Sequence, residues 1–239
     1  MSQNSLGPEV PFVGPALYPS RSKHIGRYIT LEPIALDHVD GLWQTIGGLE
    51  NATLWDYMFE KPLLERQAFE DFIVHLLRDE KAPSFTILGN HIGKALGYVQ
   101  LLNVDAANRV IEIGVMFSKL LQKTPAATEC TYLLARHVFE ELGYRRLQWK
   151  SNTLNEASRR AALRLGFTFE GVFRQHYIIK GRSRDTAWFS IIDSEWPILK
   201  WAFQVWLNSE NFDEEGRQRV GLATLREATT ATSQQVQLP

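Results

Sequence analysis

The spacing of hydrophobic and polar positions predicts a chain of alternating strands and helices. Between 64 and 78, Phe69, Phe72, Ile73 and Leu76 recur at three- and four-residue steps, as on one face of a helix. Apolar runs at 84–88, 95–102 and 110–117, separated by short polar turns, predict three consecutive strands. Further strands are predicted at 28–34, 146–151, 167–173 and 186–192, and further helices at 36–47, 125–142, 155–165 and 195–207. Neighbouring strands followed by alternating helix and strand indicate a mixed α/β sheet.

The two ends of the chain differ from the middle. Residues 1–23 are rich in Pro, Gly and Ser and are predicted to form an extended N-terminal arm. One domain is predicted over 24–208, followed by a C-terminal tail over 209–239. The last part of that tail, 229–239, offers little to bury and is expected to be disordered.

Composition narrows the class of protein. With 239 residues, 44% hydrophobic and 22% charged, the chain suits an ordinary globular domain. A net charge of -1 argues against bulk electrostatic binding to nucleic acid or a membrane surface, and no apolar run approaches the ~20 residues of a membrane span. The single cysteine, Cys130, excludes an intramolecular disulfide framework, and without a secretory signal we expect the cytoplasm. One cysteine and six scattered histidines show no metal-ligand spacing, so no metal is expected.

The start of the helix at 125 is a candidate anion site. Thr124 can act as N-cap, and Pro125 then falls at the first helical position, where its missing N–H costs nothing. The next backbone donors lie at the positive end of the helix dipole, which favours phosphate; they belong to Ala126, Ala127 and Thr128. Gln122 and Lys123 are placed to add an amide and a charge. The alternative is simply a well-capped helix.

A second helix start, at Asn155, adjoins a basic stretch. Asn155 and Gly166 bracket this helix as N-cap and C-cap, with Ser158 in its first turn. Between 145 and 184 there are ten Lys or Arg against two acids. A local positive face suits a ligand with several phosphates, although a solvated basic face is the alternative. RNA is the rival partner, but the aromatics here form no RNA-binding signature.

Glu112 is the only charge in the apolar strand 110–117. A partly desolvated carboxylate next to the candidate phosphate loop is a candidate to take a proton from an amine. Alternatively, Glu112 faces solvent or pairs with an arginine such as Arg109.

Taken together, the segment 122–127 and the helix from Asn155 to the pair Gly166-Phe167 resemble the GNAT superfamily of acyl-CoA-dependent N-acetyltransferases. The similarity spans about 27–196 and is nearest the branch that acetylates ribosomal-protein N-termini. It implies a mostly antiparallel central sheet of about seven strands flanked by helices. It also implies acetyl-CoA as co-substrate, with Asn155 on the pantetheine arm. The cofactor-binding residues implied are Met116, Phe117, Gln122, Lys123, Thr124, Ala126, Ala127, Thr128, Asn155 and Ser158.

Two positions depart from the family pattern. Pro125 replaces a glycine of the pyrophosphate loop and removes one backbone donor. Ala162 stands where many members carry the tyrosine that protonates the leaving thiolate. If the chain is active, Ser158, a water or Tyr177 must serve, or the thiolate leaves unassisted. On the acceptor side, the resemblance implies contacts from Trp55 and Tyr57.

The resemblance therefore predicts an N-acetyltransferase that moves an acetyl group from acetyl-CoA to a primary amine by direct attack in a ternary complex. Glu112 would act as the base, and the acceptor would be a protein N-terminus or a small-molecule amine. Pro125 and Ala162 favour the alternative of a non-catalytic module that keeps the fold and binds CoA or a protein partner. A membrane partner is not expected, nucleic acid is disfavoured, and the chain is expected to be a monomer or homodimer.

Overall fold

A single sheet of eight strands organises the protein, whose computed structural model describes residues 7, 9–10 and 14–235. The spatial order is β1-β2-β3-β4-β5-β6-β8-β7. The strands are β1 (His24–Ile25), β2 (Ile29–Pro33), β3 (Ser84–Gly89), β4 (Ala95–Asp105), β5 (Val110–Phe117), β6 (Arg146–Asn152), β7 (Thr168–Ile179) and β8 (Arg182–Ile192). Neighbours are antiparallel except β5 and β6, which run parallel. The predicted mixed, mostly antiparallel α/β fold is confirmed; the strand beyond the expected seven is β1, whose two residues are too few to leave an alternating pattern.

Six α-helices accompany the sheet within the described residues. They are α1 (Val39–Ile46), α2 (Arg66–Arg78), α3 (Pro125–Arg136), α4 (Glu156–Leu165), α5 (Trp196–Leu207) and α6 (Leu222–Gln235). A π-helical turn, His137–Glu141, extends α3, and a 3-10 segment, Leu49–Trp55, follows α1. None of these helices combines the length and the apolar character that crossing a bilayer requires.

The ends of the chain are more structured than their composition suggested. Helix α6 follows the predicted last helix, 195–207, and runs into the tail that was expected to be disordered. Its apolar contacts with the core come from few residues, such as Leu222 and Leu225, which explains why the pattern did not predict it. In the arm, the N–H groups of Ala16 and Leu17 donate to the carbonyls of Ala106 and Leu142. The rest of both predictions, at 1–6, 8, 11–13 and 236–239, lies outside the described residues.

The β7–β8 hairpin is longer than predicted. Its outer part is rich in polar and basic residues, so the hydrophobic pattern did not indicate it. Strands were expected at 167–173 and 186–192, but β7 continues to Ile179 and β8 begins at Arg182. Lys180 and Gly181 connect them with φ angles of 53° and 74°, the left-handed pair that a tight two-residue hairpin turn requires. The hairpin reaches the segment after α1, where Lys180 Nζ donates to the Trp55 carbonyl at 2.6 Å.

Two hydrophobic cores lie on the two faces of the sheet. The larger packs α3 and α5 against the strands and includes Leu134, Leu147 and Phe203. The smaller packs α1 and α2 against β4 and β5, and it ends at Met116. None of its described members belongs to β6, β7 or β8. The second face of those three strands is therefore outside the smaller core, and charged side chains such as Lys150 lie on it.

The parallel strands β5 and β6 separate after a short contact. Only Val110–Glu112 of β5 pairs with Arg146–Gln148 of β6, although β5 continues to Phe117 and β6 to Asn152. Helix α3 follows β5 and α4 follows β6, so both helices begin near the ends of these strands. Because the strands are parallel, the two helix N-termini lie at the same edge of the sheet, one on each side of the opening.

Candidate active site

The first turn of α3 forms one side of this opening. Thr124 has an extended backbone, and its Oγ1 accepts a hydrogen bond of 3.4 Å from the N–H of Ala127, as the predicted cap requires. Pro125 occupies the first helical position. The N–H of Ala126 has no acceptor in the described part of the chain, as is usual for a first helical turn. A positive dipole end, small side chains and an open donor together suit an anionic group.

The loop that leads into α3 is braced by one of its predicted ligands. The Gln122 amide donates from Nε2 to the carbonyl of Phe117, at the end of β5, with a distance of 3.0 Å. Lys123 follows with a left-handed φ of 62°, and its side chain is exposed. Gln122 thus holds the loop against the strand, while Lys123 remains free to meet a charged group in solvent.

The next turn of α3 faces inward. The Thr128 Oγ1 accepts a hydrogen bond of 2.9 Å from Nη1 of Arg164 and so joins α3 to α4. The coenzyme contact predicted for the Thr128 backbone N–H stays a prediction. The Glu129 carboxylate is buried and accepts three backbone N–H groups at 2.7, 2.7 and 3.0 Å; they belong to Arg27, Tyr28 and Ile29. Glu129 therefore fastens the entry into β2 onto the helix that carries the candidate anion site.

The first turn of α4 forms the opposite side. Oδ1 of Asn155 accepts from the N–H of Ser158 at 3.0 Å, which confirms Asn155 as N-cap. The Asn155 Nδ2 has no acceptor within the described residues and can donate outward. The Ser158 Oγ accepts a hydrogen bond of 3.0 Å from the Trp149 indole, so its own O–H can still donate. The two residues that the sequence singled out at this helix are thus neighbours with spare donors.

The end of β5 lies between these helices. Met116 is buried against α1 and α2, which leaves its backbone rather than its side chain for a ligand. Its carbonyl passes so close to Gly97 of β4 that a Cβ there would lie 2.0 Å from the oxygen, and Gly97 has a φ of 135°. Beyond Glu112, the β6-facing edge of β5 has no strand partner among the described residues, up to Phe117. Backbone groups there are free to contact a ligand in the opening.

Glu112 stands where the two strands part. Only 2% of the residue is exposed, and Oε2 takes both of its contacts: Asn103 Nδ2 at 2.7 Å and Lys150 Nζ at 3.1 Å. The pairing with Arg109 that the sequence left open is replaced by this one, because the parallel register puts Gln148 beside Glu112 and Lys150 on the same face two residues later. Oε1 has no partner among the described residues.

The segment after α1 borders this point, but not as predicted. The Trp55 side chain is fully buried, donates from Nε1 to the Ile46 carbonyl at 2.7 Å and packs edge-on against Phe72. The structure thus assigns the Trp55 ring to the core rather than to the acceptor side. Tyr57 is partly exposed and stays a candidate. Phe59, which the sequence analysis did not single out, packs edge-on against Tyr177 of the hairpin.

Lys150 and Arg184 complete the cluster around Glu112, and both were missed as site residues. The Lys150 ammonium lies 5.8 Å from the centre of the Phe59 ring, and the Arg184 guanidinium lies 4.7 Å from it. Burial, followed by the positive charges of Lys150 and Arg184, lowers the pKa of His176 on the same hairpin. Only the register of β6 and β8 brings these side chains together, so no local sequence signal could have found them.

The comparison with known families decides the identity of the fold. The family of acetyltransferase (GNAT) domains matches residues 29–168, more than half of the chain. The chain belongs to the GNAT family.

Solved structures agree with this GNAT assignment. A GCN5-related N-acetyltransferase from Brucella melitensis is 42% identical, with a TM-score of 0.87 over 90% of this chain and 98% of its own. The Microcin C7 self immunity acetyltransferase MccE, solved in complex with acetyl-CoA and AMP, is 26% identical, with a TM-score of 0.62 over 70% of this chain and 93% of its own.

A curated relative also agrees with the branch that the motifs resemble. It is named "Putative ribosomal N-acetyltransferase YdaF", from Bacillus subtilis (strain 168), and is 32% identical over 104 residues. The match covers 44% of this chain and 57% of that relative, so the chain spans little more than half the length of the curated relative it matches.

The structure shows the surroundings of Ala162, which departs from the GNAT pattern, and of the basic stretch 145–184. Ala162 is fully buried in the main core, so a side chain at this position of α4 packs inward here.

The basic stretch is not one face: Arg146 pairs with Glu170, Lys150 with Glu112, and Arg160 with Glu156. The positive face expected from the ten Lys and Arg residues of 145–184 is therefore partly neutralised by acidic partners.

Away from this site, the GNAT fold brings together two of the histidines that looked scattered. His24 and His137 are buried with ring centres 4.4 Å apart, and His137 Nδ1 lies 2.6 Å from Oε2 of Glu141. Ligand atoms of the three residues lie within 4.8 Å of one another. Burial, and next the neighbouring His137, lowers the pKa of His24 to about 4. A neutral His24 is thus the form that the folded protein favours.

Proposed function

We propose that the chain transfers an acetyl group from acetyl-CoA to a primary amine, either a protein N-terminus or a small-molecule amine. The observation that carries this proposal is the opening between β5 and β6, flanked by two helix N-termini and with the free Oε1 of Glu112 where the strands part. Membership of an acetyltransferase family supports the reaction class. The similar protein MccE was solved with acetyl-CoA, which supports that co-substrate. The name of the curated relative supports a protein N-terminus as one acceptor.

The residues around the opening fit acetyl-CoA, which would supply the activated acetyl thioester. Ala126 N–H and the dipole end of α3 suit the pyrophosphate, with Lys123 adding charge from solvent. The spare Nδ2 of Asn155 suits an amide carbonyl of the pantetheine arm. Backbone N–H groups near Phe117, on the unpaired edge of β5, are placed to polarise a carbonyl. The site therefore accommodates a long, anionic, amide-rich substrate in spite of Pro125.

Glu112 is the proposed general base. Oε1 accepts a proton from the acceptor amine, whose nitrogen can then form the new N–C bond as the thioester C–S bond breaks. Positioning of the two substrates would supply most of the rate, and proton transfer about 10²–10⁴-fold. Lys150 and Asn103 hold the other oxygen and so fix the orientation of the carboxylate.

Ser158 is the proposed donor to the departing thiolate. It follows Asn155 by one helical turn, on the side assigned to the coenzyme, and its O–H is not committed to Trp149. Tyr177 instead packs against Phe59 on the acceptor side. A non-catalytic module remains the second candidate, since Pro125 and Ala162 remove two features common in active relatives. A cytoplasmic location stays a prediction.

Calorimetric titration of the purified protein with acetyl-CoA tests the proposal, with desulfo-CoA and ATP as controls. We expect micromolar binding selective for the coenzyme, followed by acetyl-CoA-dependent release of thiol when amines are added. Binding without turnover on any amine would favour the non-catalytic module. No binding of acetyl-CoA would overturn the proposed transferase and leave a module that binds a protein partner.

A further inference from the structure

The side of the opening proposed for the acceptor contains more positive charge than the single carboxylate of Glu112 can neutralise. On the second face of the sheet, Lys150 and Arg184 both approach the Phe59 ring, while Glu112 is the one carboxylate paired with either of them among the described residues. The other nearby cation, Lys180, lies under the influence of Asp56 and Glu60. One positive charge in this cluster is therefore not compensated by a neighbouring acid.

Arg184 carries that surplus charge. It is 5% exposed, and burial is the first cause that lowers its pKa. Its Nε is buried without a hydrogen-bond acceptor in the described part of the chain, and Nη1 makes only a long contact of 3.3 Å with the Tyr57 carbonyl. Burying the Nε donor of a guanidinium without an acceptor is costly unless a ligand supplies the missing partner.

Two further ring nitrogens in this region are also unpaired in the part of the chain that the structure describes. The indole Nε1 of Trp188 and the Nδ1 of His176 are buried and lack partners among the described residues. Their rings lie 6.0 Å apart, and the Lys150 ammonium lies 5.7 Å from the centre of the Trp188 ring. A group that accepts hydrogen bonds and carries negative charge would satisfy this environment, and a planar carboxylate matches the planar guanidinium fork.

A space beside the cluster could hold the rest of such a molecule. A cavity of about 220 Å³ lies on this part of the sheet, lined by Arg146, Gln148, Glu170, Gly171, Phe173 and Trp188. Arg146, Gln148 and Lys150 alternate along β6 and therefore share one face. The cavity thus extends from Trp188 to Gln148, the register neighbour of Glu112, over strands that no helix of the smaller core covers.

We infer that the acceptor is an amine that also carries a carboxylate, with the amine at Glu112 Oε1 and the carboxylate on Arg184. The inference rests on the proposed function. Lys150, between the two sites, offsets the repulsion between Glu112 and the carboxylate of the acceptor. A free amino acid and an N-terminus followed by an acidic side chain both have this chemistry. The competing structural role for Arg184 is to hold the Tyr57 carbonyl and the Phe59 ring, which would create no preference among acceptors.

The test compares matched acceptors that differ in one carboxylate, with thiol release from acetyl-CoA as the readout. One pair is alanine against alaninamide, and the other is two tetrapeptide amides that differ in Asp or Asn at the second position. We expect the carboxylate member of at least one pair to be preferred by about tenfold or more in kcat/KM. Which pair shows the preference distinguishes the small molecule from the N-terminus. Equal use of both members in both pairs would overturn the inference without affecting the proposed function.

Substitutions then locate the preference. Arg184→Gln should reduce it to within about twofold, and Arg184→Lys should keep part of it, because charge remains while the fork is lost. Arg182→Gln, an exposed arginine on the same strand, is the matched control and should keep the full preference. Retention of the preference in a folded Arg184→Gln protein would also overturn the inference. If that variant does not fold, the comparison of acceptors on the unchanged protein still decides.

A binding measurement covers the case of no turnover. Glutarate should raise the melting temperature of the unchanged protein, whereas glutaramide, the uncharged analogue, should not. If no amine is acetylated and yet this difference appears, the proposed function fails while the carboxylate site stands. If glutarate and glutaramide act alike, the carboxylate site fails.

Discussion

The two sides of the opening between β5 and β6 are built in different ways. The side proposed for the coenzyme consists of two helix starts, where Thr124 and Asn155 each cap a donor three residues later. The side proposed for the acceptor consists of Glu112, Lys150 and Arg184, which come from three strands and meet a loop after α1. The first side needs only local backbone geometry, whereas the second needs the register of the sheet. Substitutions on the two sides should therefore change different properties of the protein.

The largest expected effect belongs to the acceptor side. Glu112→Gln should lower kcat at neutral pH by about 10²–10⁴-fold and flatten the pH–rate profile, because the proton acceptor is lost. Its affinity for acetyl-CoA, measured by calorimetry, should change little, since the coenzyme contacts lie on the helix ends. An unchanged pH–rate profile would remove Glu112 from the mechanism.

Glu129, which supports the helix start on the proposed coenzyme side, should contribute to the stability of the protein. Glu129→Gln replaces a buried carboxylate that accepts three backbone N–H groups, and we expect the free energy of unfolding in urea to fall by about 3 kcal/mol. Glu156→Gln is the control: this exposed carboxylate pairs with Arg160 one turn away, so its loss should cost no more than about 0.5 kcal/mol. Similar losses in the two variants would mean that Glu129 does not anchor β2 to α3.

The stability of the protein should depend on pH through His24, which packs against His137 at the end of α3. The pKa of His24 is about 4 when folded and about 6.5 when unfolded, so the unfolded chain binds the proton more tightly. The folded state should therefore be fully stable above pH 6.5 and lose up to about 3 kcal/mol as the pH falls from 6.5 to 4. Urea unfolding at several pH values measures this. His24→Phe should flatten that slope, while His91→Phe, in an exposed turn, should not.

The smallest expected effect separates a cap from a coenzyme contact. Asn155→Asp keeps an oxygen that can cap α4 but removes the Nδ2 donor. We expect the KM for acetyl-CoA to rise by roughly 3- to 10-fold, as for one lost hydrogen bond, with the melting temperature almost unchanged. Asn155→Ala should raise the KM and also lower stability, by about 1 kcal/mol. A KM that stays constant in both would leave Asn155 as a cap alone.

Much of the fold could be predicted because many of its elements are indicated by patterns of a few neighbouring residues. The strand at 110–117 and the helix starts at 125 and 155 were found where the structure has them, since alternation, Pro at the first helical position and side-chain caps act over a few residues. The outer half of the β7–β8 hairpin and α6 were missed for the opposite reason. Their residues are mostly polar, and contacts with distant elements hold them in place.

Local patterns in the chain were enough to predict the family, most of the elements and their order, and the two helix ends that suit a phosphate-bearing coenzyme. Only the tertiary structure decided that Trp55 belongs to the core, that Lys150 rather than Arg109 pairs with Glu112, and that Arg184 lies buried beside them. The physical reason is distance along the chain. A cap is formed by neighbours, but Glu112, Lys150 and Arg184 meet only because parallel β5–β6 and antiparallel β6–β8 pairing puts them on one face of the sheet.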